Sequence, residues 1–282
     1  MRDRATGLPI HPAIVWQSRQ SSAICERLRL DGFEALTRAK TGLVIDPYFS
    51  APKILRLFDR YPDLHQLAKD GNVILDTIDS WLLWNLTGGL DHATDPINAS
   101  RTLLCNIHDQ QWGKDLVELF NIPATILPAV KPSCGVFGET SGVEGLPDGV
   151  PISEIAGDQR AALYGQGCWE SGAAKVTYGT GAFVVMNLGQ HRPVLENGLL
   201  TAMCCDDLGC SAYALEGAIF TAGAAIQWLR DELKIIDHAA ESESLAQRVP
   251  NADGVHFVPA FTGLGVTYSD MNARGALVGL TR

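Results

Sequence analysis

Ile155-Ala156-Gly157-Asp158-Gln159-Arg160 and, about one helix later, Lys175-Val176-Thr177-Tyr178-Gly179-Thr180-Gly181-Ala182-Phe183 decide the reading of this chain. The first stretch passes from a short apolar run into a helix opening at Arg160-Ala161-Ala162-Leu163. It therefore sets an acid at a strand-to-helix corner. In α/β sheets such a corner lies at the carboxyl end of a strand, where ligands bind. A carboxylate there can accept a hydroxyl proton while the hydroxyl attacks phosphorus. Asp is also a favoured helix N-cap, which is the plain structural reading of Asp158. The second stretch sets Gly179-Thr180-Gly181 between two β-rich runs. Glycines permit positive φ and close backbone approach to a ligand, and successive amides in such a turn form an anion nest. The same tripeptide also suits an ordinary hairpin turn. Neither a GxxxxGK[ST] loop nor a GxGxxG loop occurs. The acid and the phosphate-wrapping turn together point to ATP-dependent phosphoryl transfer to a small hydroxylated substrate.

Working outward, a longer helix is predicted from Ala218 to Ile235. Gly223 and Gln227 lie one turn apart on it, and the small residues 222–225 allow either a nucleotide or another helix to come close. Upstream, Tyr48 in Asp46-Pro47-Tyr48-Phe49-Ser50 can hydrogen-bond a polyol hydroxyl. Trp16, closing a short strand at Ala13–Trp16, can pack on an aliphatic carbon chain. Both residues equally fit core aromatics with one satisfied polar tip. Helices are expected over 18–30, from an N-cap at Ser50, over 76–86 with Ile78, Trp81, Leu82 and Leu86 on one face, and over 113–120. Strands are expected at 73–75, 152–156, 174–178, 182–187, 199–204, 211–215 and 254–259. Prolines at 123, 128, 132, 147 and 151 make 121–151 mostly loop and short strand. The domain boundary is expected near 160–174.

Composition narrows the classes. The 282 residues are 46% hydrophobic and 19% charged, with a net charge of -10. That is a globular chain with room for two domains. The acidic balance and the lack of a long basic run disfavour nucleic acid or an anionic membrane as partner. The seven cysteines, at 25, 105, 134, 168, 204, 205 and 210, form no CxxC pair, and the histidines show no metal-ligand spacing. Reduced, mostly buried thiols are expected, which fits a cytoplasmic protein. No apolar signal core opens the chain, and no apolar run reaches membrane-spanning length.

Seven blocks stand in one order: Ala13–Gln17, Asn98–Thr102, Ile155–Gln159, Tyr178–Gly181, Tyr213–Gly217, Ala225–Asp231 and Pro259–Gly265. In this order they resemble the FGGY carbohydrate kinases, and within them the glycerol kinases, over essentially the whole chain. The resemblance implies an α/β, actin-like fold of two ribonuclease-H-like domains, here residues 1–165 on the substrate side and 166–282 on the nucleotide side. It implies ATP and Mg²⁺ as cofactors, bound in the cleft between the domains, and glycerol as acceptor, giving sn-glycerol 3-phosphate. By position, Asp158 is implied as general base facing the metal. Gln159, Tyr48, Trp16 and Phe183 are implied as the glycerol pocket. Thr180 with Gly179 and Gly181 is implied as the phosphate contact, and Gly223 and Gln227 as nucleotide contacts.

The departures matter as well. The family's pattern over Tyr48–Arg60 has Trp where this chain has Arg56 and a different final residue from Arg60. The family's Ala-Pro-Tyr-Trp-Asp-Pro after Gly265 is replaced by residues 266–271, Val-Thr-Tyr-Ser-Asp-Met. The family also has segments before and after this chain: a first phosphate hairpin, an Arg-Glu pair for glycerol, and an adenine-binding end. The expectation is an internal piece with an incomplete cleft, prone to self-association through an unpaired sheet edge. Another FGGY sugar kinase of the pentulose type, a non-catalytic nucleotide-binding remnant, and a chaperone-type ATPase remain as alternatives at this point.

Overall fold

The computed structural model describes residues 1–191, 198–266, 268 and 270–281. The loop that departs from the family after Gly265 thus lies partly outside the described residues. The helices are α1 (Ser22–Leu30), α2 (Glu34–Thr41), α3 (Ser50–Arg60), α4 (Leu64–Lys69), α5 (Ile78–Leu86), α6 (Pro96–Ala99), α7 (Lys114–Leu119), α8 (Asp158–Gly165), α9 (Gly223–Asp231) and α10 (Glu241–Ala246). The strands are β1 (Arg2–Asp3), β2 (Val73–Ile74), β3 (Ala93–Thr94), β4 (Cys105–Asn106), β5 (Gln111–Trp112), β6 (Ala129–Val130), β7 (Cys134–Glu139), β8 (Pro151–Glu154), β9 (Ala174–Tyr178), β10 (Ala182–Gly189), β11 (Leu200–Cys205), β12 (Ser211–Ile219), β13 (His256–Val258) and β14 (Ala276–Val278).

The chain forms two compact units. Unit 1 is Met1–Ala173, Met186–Pro193 and Leu200–Leu215; unit 2 is Ala174–Val185, Val194–Leu199 and Glu216–Arg282. Four strands form one sheet in the order β11-β12-β10-β9. Within unit 1, β3 pairs with β6 in parallel, and β1–β2, β4–β5 and β7–β8 pair antiparallel. The core of unit 1 includes Leu43, Ile45, Ile54, Ile74, Leu104, Leu116 and Phe120, all essentially removed from solvent. In unit 2, β13 pairs antiparallel with β14, and Trp228 of α9 stacks on Phe257 at 5.5 Å.

Several expectations change. Ala13–Trp16 is not a strand, because no neighbouring chain completes a ladder there and the segment runs as irregular backbone. Ser50 is the first helical residue of α3, and Phe49, with extended backbone, is the cap. The helix expected from Ala218 begins only at Gly223, because β12 extends to Ile219. Helix α5 does not bury the apolar face that carries Ile78, Trp81 and Leu82. Asp79, Ser80 and Leu83 are buried, while Ile78 is 70% exposed and Trp81 and Leu82 are about half exposed. Leu83 joins Ala93, Phe137 and Ile155 in a core cluster. The inward Asp79 is tolerated because Thr94 donates to its Oδ2 at 2.6 Å. All seven cysteines are unpaired; Cys25, Cys105, Cys168 and Cys204 are buried.

Candidate active site

The acid corner lies in unit 1. Strand β8 ends at Glu154, and Ile155 is pinned by a bond from its N–H to the Ser133 carbonyl (3.0 Å) and by the Phe137 cluster. Gly157 is the N-cap of α8, its carbonyl accepting from the amides of Arg160 and Ala161 (2.9 and 2.8 Å). Asp158 is thus the first residue inside the helix and its side chain makes no cap bond. Asp158 is therefore not the N-cap but a first-turn acid, a position where a carboxylate suits the positive end of the helix. Its carboxylate is exposed, and Oδ2 accepts from Gln159 Nε2 at 3.0 Å. Strand β8, which leads into the corner, pairs with β7 as an antiparallel partner.

The corner is buttressed from below. A Cβ on Gly157 would come 3.2 Å from Asn98 Oδ1, so the glycine lets the 98–102 block approach. Asn98 is held in turn. Its backbone N–H and its Nδ2 donate to Asp95 Oδ1 (2.9 and 2.8 Å), and Ser133 Oγ donates to Asp95 Oδ2 at 2.6 Å. Asp95 is the N-cap of α6 and is fully buried. Burial pushes its carboxyl pKa up, and the bonds from Ser133 and Asn98 oppose that rise.

The same block supports the predicted aromatic residues. The Tyr48 and Trp16 rings lie 5.7 Å apart, and Tyr48 meets Phe49 edge-on at 5.0 Å. The Arg101 guanidinium sits over both Tyr48 and Phe49, at 5.5 and 5.2 Å. Such contacts contribute about 0.5–2 kcal/mol each. The Thr102 carbonyl accepts the Ala51 N–H of the first α3 turn (2.9 Å). Tyr48 itself lies in a turn, where Asp46 Oδ1 accepts its N–H at 2.8 Å and Lys53 Nζ donates to its carbonyl at 2.9 Å. Burial pushes the Lys53 ammonium pKa down to about 8, with Asp46 acting against it. Sequence reasoning missed Asp46, Lys53, Asp95 and Arg101. The spacing Asp46-x-Tyr48 was the available signal, since an Asp two residues ahead can close a turn with its side chain.

The remaining predicted residues fall in unit 2. The turn between β9 and β10 is closed by the Gly179 N–H donating to the Gly181 carbonyl (2.8 Å). Ala222 and Ala224 donate to the Thr180 carbonyl (2.8 and 3.2 Å), and Gly223 donates to the Gly179 carbonyl (2.9 Å). The 179–181 turn and the start of α9 are therefore knitted together. The glycines are not there for positive φ, which none of Gly179, Gly181 or Gly223 adopts. A Cβ on Gly181 would lie 2.6 Å from the Ile219 carbonyl oxygen, and one on Gly223 would lie 2.6 Å from that of Gly179. Thr180 and Gln227 are exposed, and Phe183 is half-buried on β10. Unit 1 thus gathers Trp16, Tyr48, Asp158 and Gln159, and unit 2 gathers Gly179, Thr180, Gly181, Phe183, Gly223 and Gln227. Among the described residues no group of three or more His, Cys, Asp or Glu could hold a metal ion. None of the described helices is long and apolar enough to cross a membrane.

Comparison with known proteins gives the family. Residues 1–165 match the N-terminal domain of the FGGY family of carbohydrate kinases, and residues 174–282 match its C-terminal domain. The chain is 53% identical to a glycerol kinase of Alkalilimnicola ehrlichii over 280 residues, covering 99% of this chain and 56% of that protein. It is 54% identical to a glycerol kinase of Halorhodospira halophila, of which it covers 55%. Among solved structures, Plasmodium falciparum glycerol kinase with ADP superposes with a TM-score of 0.85 at 38% identity, over 99% of this chain and 56% of that one. A gluconate kinase from Lactobacillus acidophilus shares the fold at a TM-score of 0.82 and 22% identity. The chain spans about half the length of the relatives it matches, at 55–56%. Its mixed α/β architecture is the actin-like fold of these kinases. This chain belongs to the FGGY family of carbohydrate kinases.

Proposed function

We propose that this chain serves the ATP-dependent phosphorylation of glycerol to sn-glycerol 3-phosphate, with residues 1–165 as the substrate side and 166–282 as the nucleotide side. The observation that carries this is an exposed carboxylate, Asp158, which opens a helix without capping it, in a chain 51–54% identical to glycerol kinases along almost its whole length. Asp158 acts as the general base that takes the proton of the attacking hydroxyl. Gln159 Nε2 donates a hydrogen bond to the Asp158 carboxylate. Tyr48 and Trp16 receive the three-carbon alcohol. Thr180, Gly179 and Gly181 meet the phosphates, and Gly223 and Gln227 meet the nucleoside.

The residues fit Mg²⁺ only in its substrate-borne form. Magnesium commonly binds through one or two carboxylates plus the nucleotide's own phosphates, and Asp158 supplies one such carboxylate. When bound, the ion neutralises charge developing on the transferred phosphoryl group. The test is ATP-dependent formation of glycerol 3-phosphate by the purified chain. Asp158→Asn should lower it by about 10²–10⁴-fold, the scale of general-base loss, while ADP binding stays intact. A folded chain that binds ADP but forms no product would sink the catalytic reading.

A further inference from the structure

Tyr48 is held in an unusual way. It lies in the turn between Ile45 and α3 rather than in a helix or strand. Both of its backbone polar groups are met by charged side chains: the N–H by Asp46, and the carbonyl by the half-buried Lys53 from the first turn of α3. Arg101 and Trp16 meet its ring. Removing an ammonium from water is costly, but Ile45, Asp46, Pro47 and Phe49 of this turn are buried, so the Tyr48 carbonyl needs a protein partner, and Lys53 supplies it. A lysine buried against that carbonyl fixes the peptide in one place.

We propose that Lys53 is a positioning residue, whose ammonium anchors the Tyr48 peptide and so holds the Tyr48 ring against Trp16 in the shape that receives the alcohol. The substrate half of this statement rests on the function proposed above; the anchoring half does not. Of the surrounding charges, Asp46 acts directly on Lys53. Helix α1 brings Arg29, which acts with Asp46 on the Cys25 thiol. Helix α4 brings His65 against Phe58 of α3, α3 itself carries Arg56, Asp59 and Arg60, and Arg101 covers Tyr48 and Phe49.

Lys53 loses its proton near pH 8 in the folded chain, well below the ordinary lysine value. As pH rises through 8 the charge-assisted bond becomes a weaker amine bond and the anchor loosens. Global stability moves the other way. From about 8 up to the unfolded lysine value the unfolded chain holds more protons than the folded one, so this residue's contribution to stability rises with pH.

The test reads Trp16 fluorescence as the difference between the chain and its Trp16→Phe variant, titrated from about pH 6 to 10. A transition centred near 8 is expected. It should vanish in Lys53→Met, which should show the high-pH signal throughout, and in Lys53→Arg, which should keep the low-pH signal. Glycerol titrated by calorimetry should bind about tenfold more weakly to Lys53→Met than to the parent chain near pH 7, the scale of one lost charge-assisted bond, with Lys53→Arg recovering most of the loss. A transition that persists in Lys53→Met, or no transition in a folded parent chain, would overturn the anchor. Glycerol bound equally by parent and Lys53→Met would overturn its role in the pocket. A Lys53-dependent transition in a chain that does not bind glycerol would uphold the anchor and sink the kinase reading alone.

Discussion

At the scale of single residues, glycine chemistry separates what sequence could and could not say. Gly179-Thr180-Gly181 reads as a turn, and a turn it is. The reason attached to it differs, because close approach of another backbone, not positive φ, excludes side chains at Gly181 and Gly223. Distances between residues far apart in the chain are not written in a tripeptide. Two opposite outcomes follow. Gly223→Ala places a methyl 2.6 Å from a backbone oxygen that cannot swing aside, and should cost about 1–3 kcal/mol, the usual range for overpacking. Gly165→Ala, at the end of α8 with nothing within 4 Å, should stabilise by about 0.4–1 kcal/mol through the unfolded chain. Thermal melts of the two variants check both signs, and equal shifts would contradict the close-approach explanation.

At the scale of elements, the strands between 174 and 215 and the helices at 22–30, 50–60 and 114–119 were readable, because apolar periodicity and turn residues agree there. Helix α5 was readable as a helix but not in orientation. Apolar residues lie on more than one face, and the choice is made by Asp79, which finds Thr94. One oxygen of Asp79 is nevertheless buried without a hydrogen-bond partner, and burial pushes its pKa up. The sign follows directly. Between the ordinary aspartate value and the raised folded value, the folded chain holds more protons than the unfolded one. The contribution of Asp79 to stability is therefore full at low pH and is lost as pH rises through its folded value. Asp79→Asn removes that titration. The stability difference between Asp79→Asn and the parent should shift in favour of the variant from about pH 4 to 7, as read by urea midpoints. A difference independent of pH would show that Asp79 is not burdened by its charge. The site's supports, Asp95 and Lys53, were unreadable for the same reason as the α5 face: their partners Ser133 and the Tyr48 carbonyl are fixed by tertiary contact.

At the scale of the whole molecule, the two units differ in how much they bury. Unit 1 holds the large buried side chains, including Phe120, Phe137, Leu104 and Ile107. In unit 2 the buried apolar residues among those described are few: Ala182, Val185, Ala218, Ile236, Ala260 and Met271, and α9 and α10 contain no buried residue at all. Regions with few buried contacts open at lower free energy. Amide exchange should be markedly faster in α9 and α10 than in α3 and α7, and limited proteolysis should cut first between 232 and 255. Protection of α10 equal to that of α3 would refute this. The fold class and the family's order of motifs were readable at this scale, because seven separated blocks in register constrain a chain more than any one of them does.

Unit 1 is not a continuous stretch of chain: it takes back Met186–Pro193 and Leu200–Leu215 after the path has left it. The returning part is not trim. Met203 completes the cluster of Ile97 and Ile107, Cys205 and Tyr213 pack on that cluster, and the Met203 carbonyl receives Arg160. A gene exchanged at a single crossover would hand over one half of this core without the other. Recombination among relatives should therefore succeed only with paired breakpoints, so that these segments are inherited together although they lie far apart along the DNA.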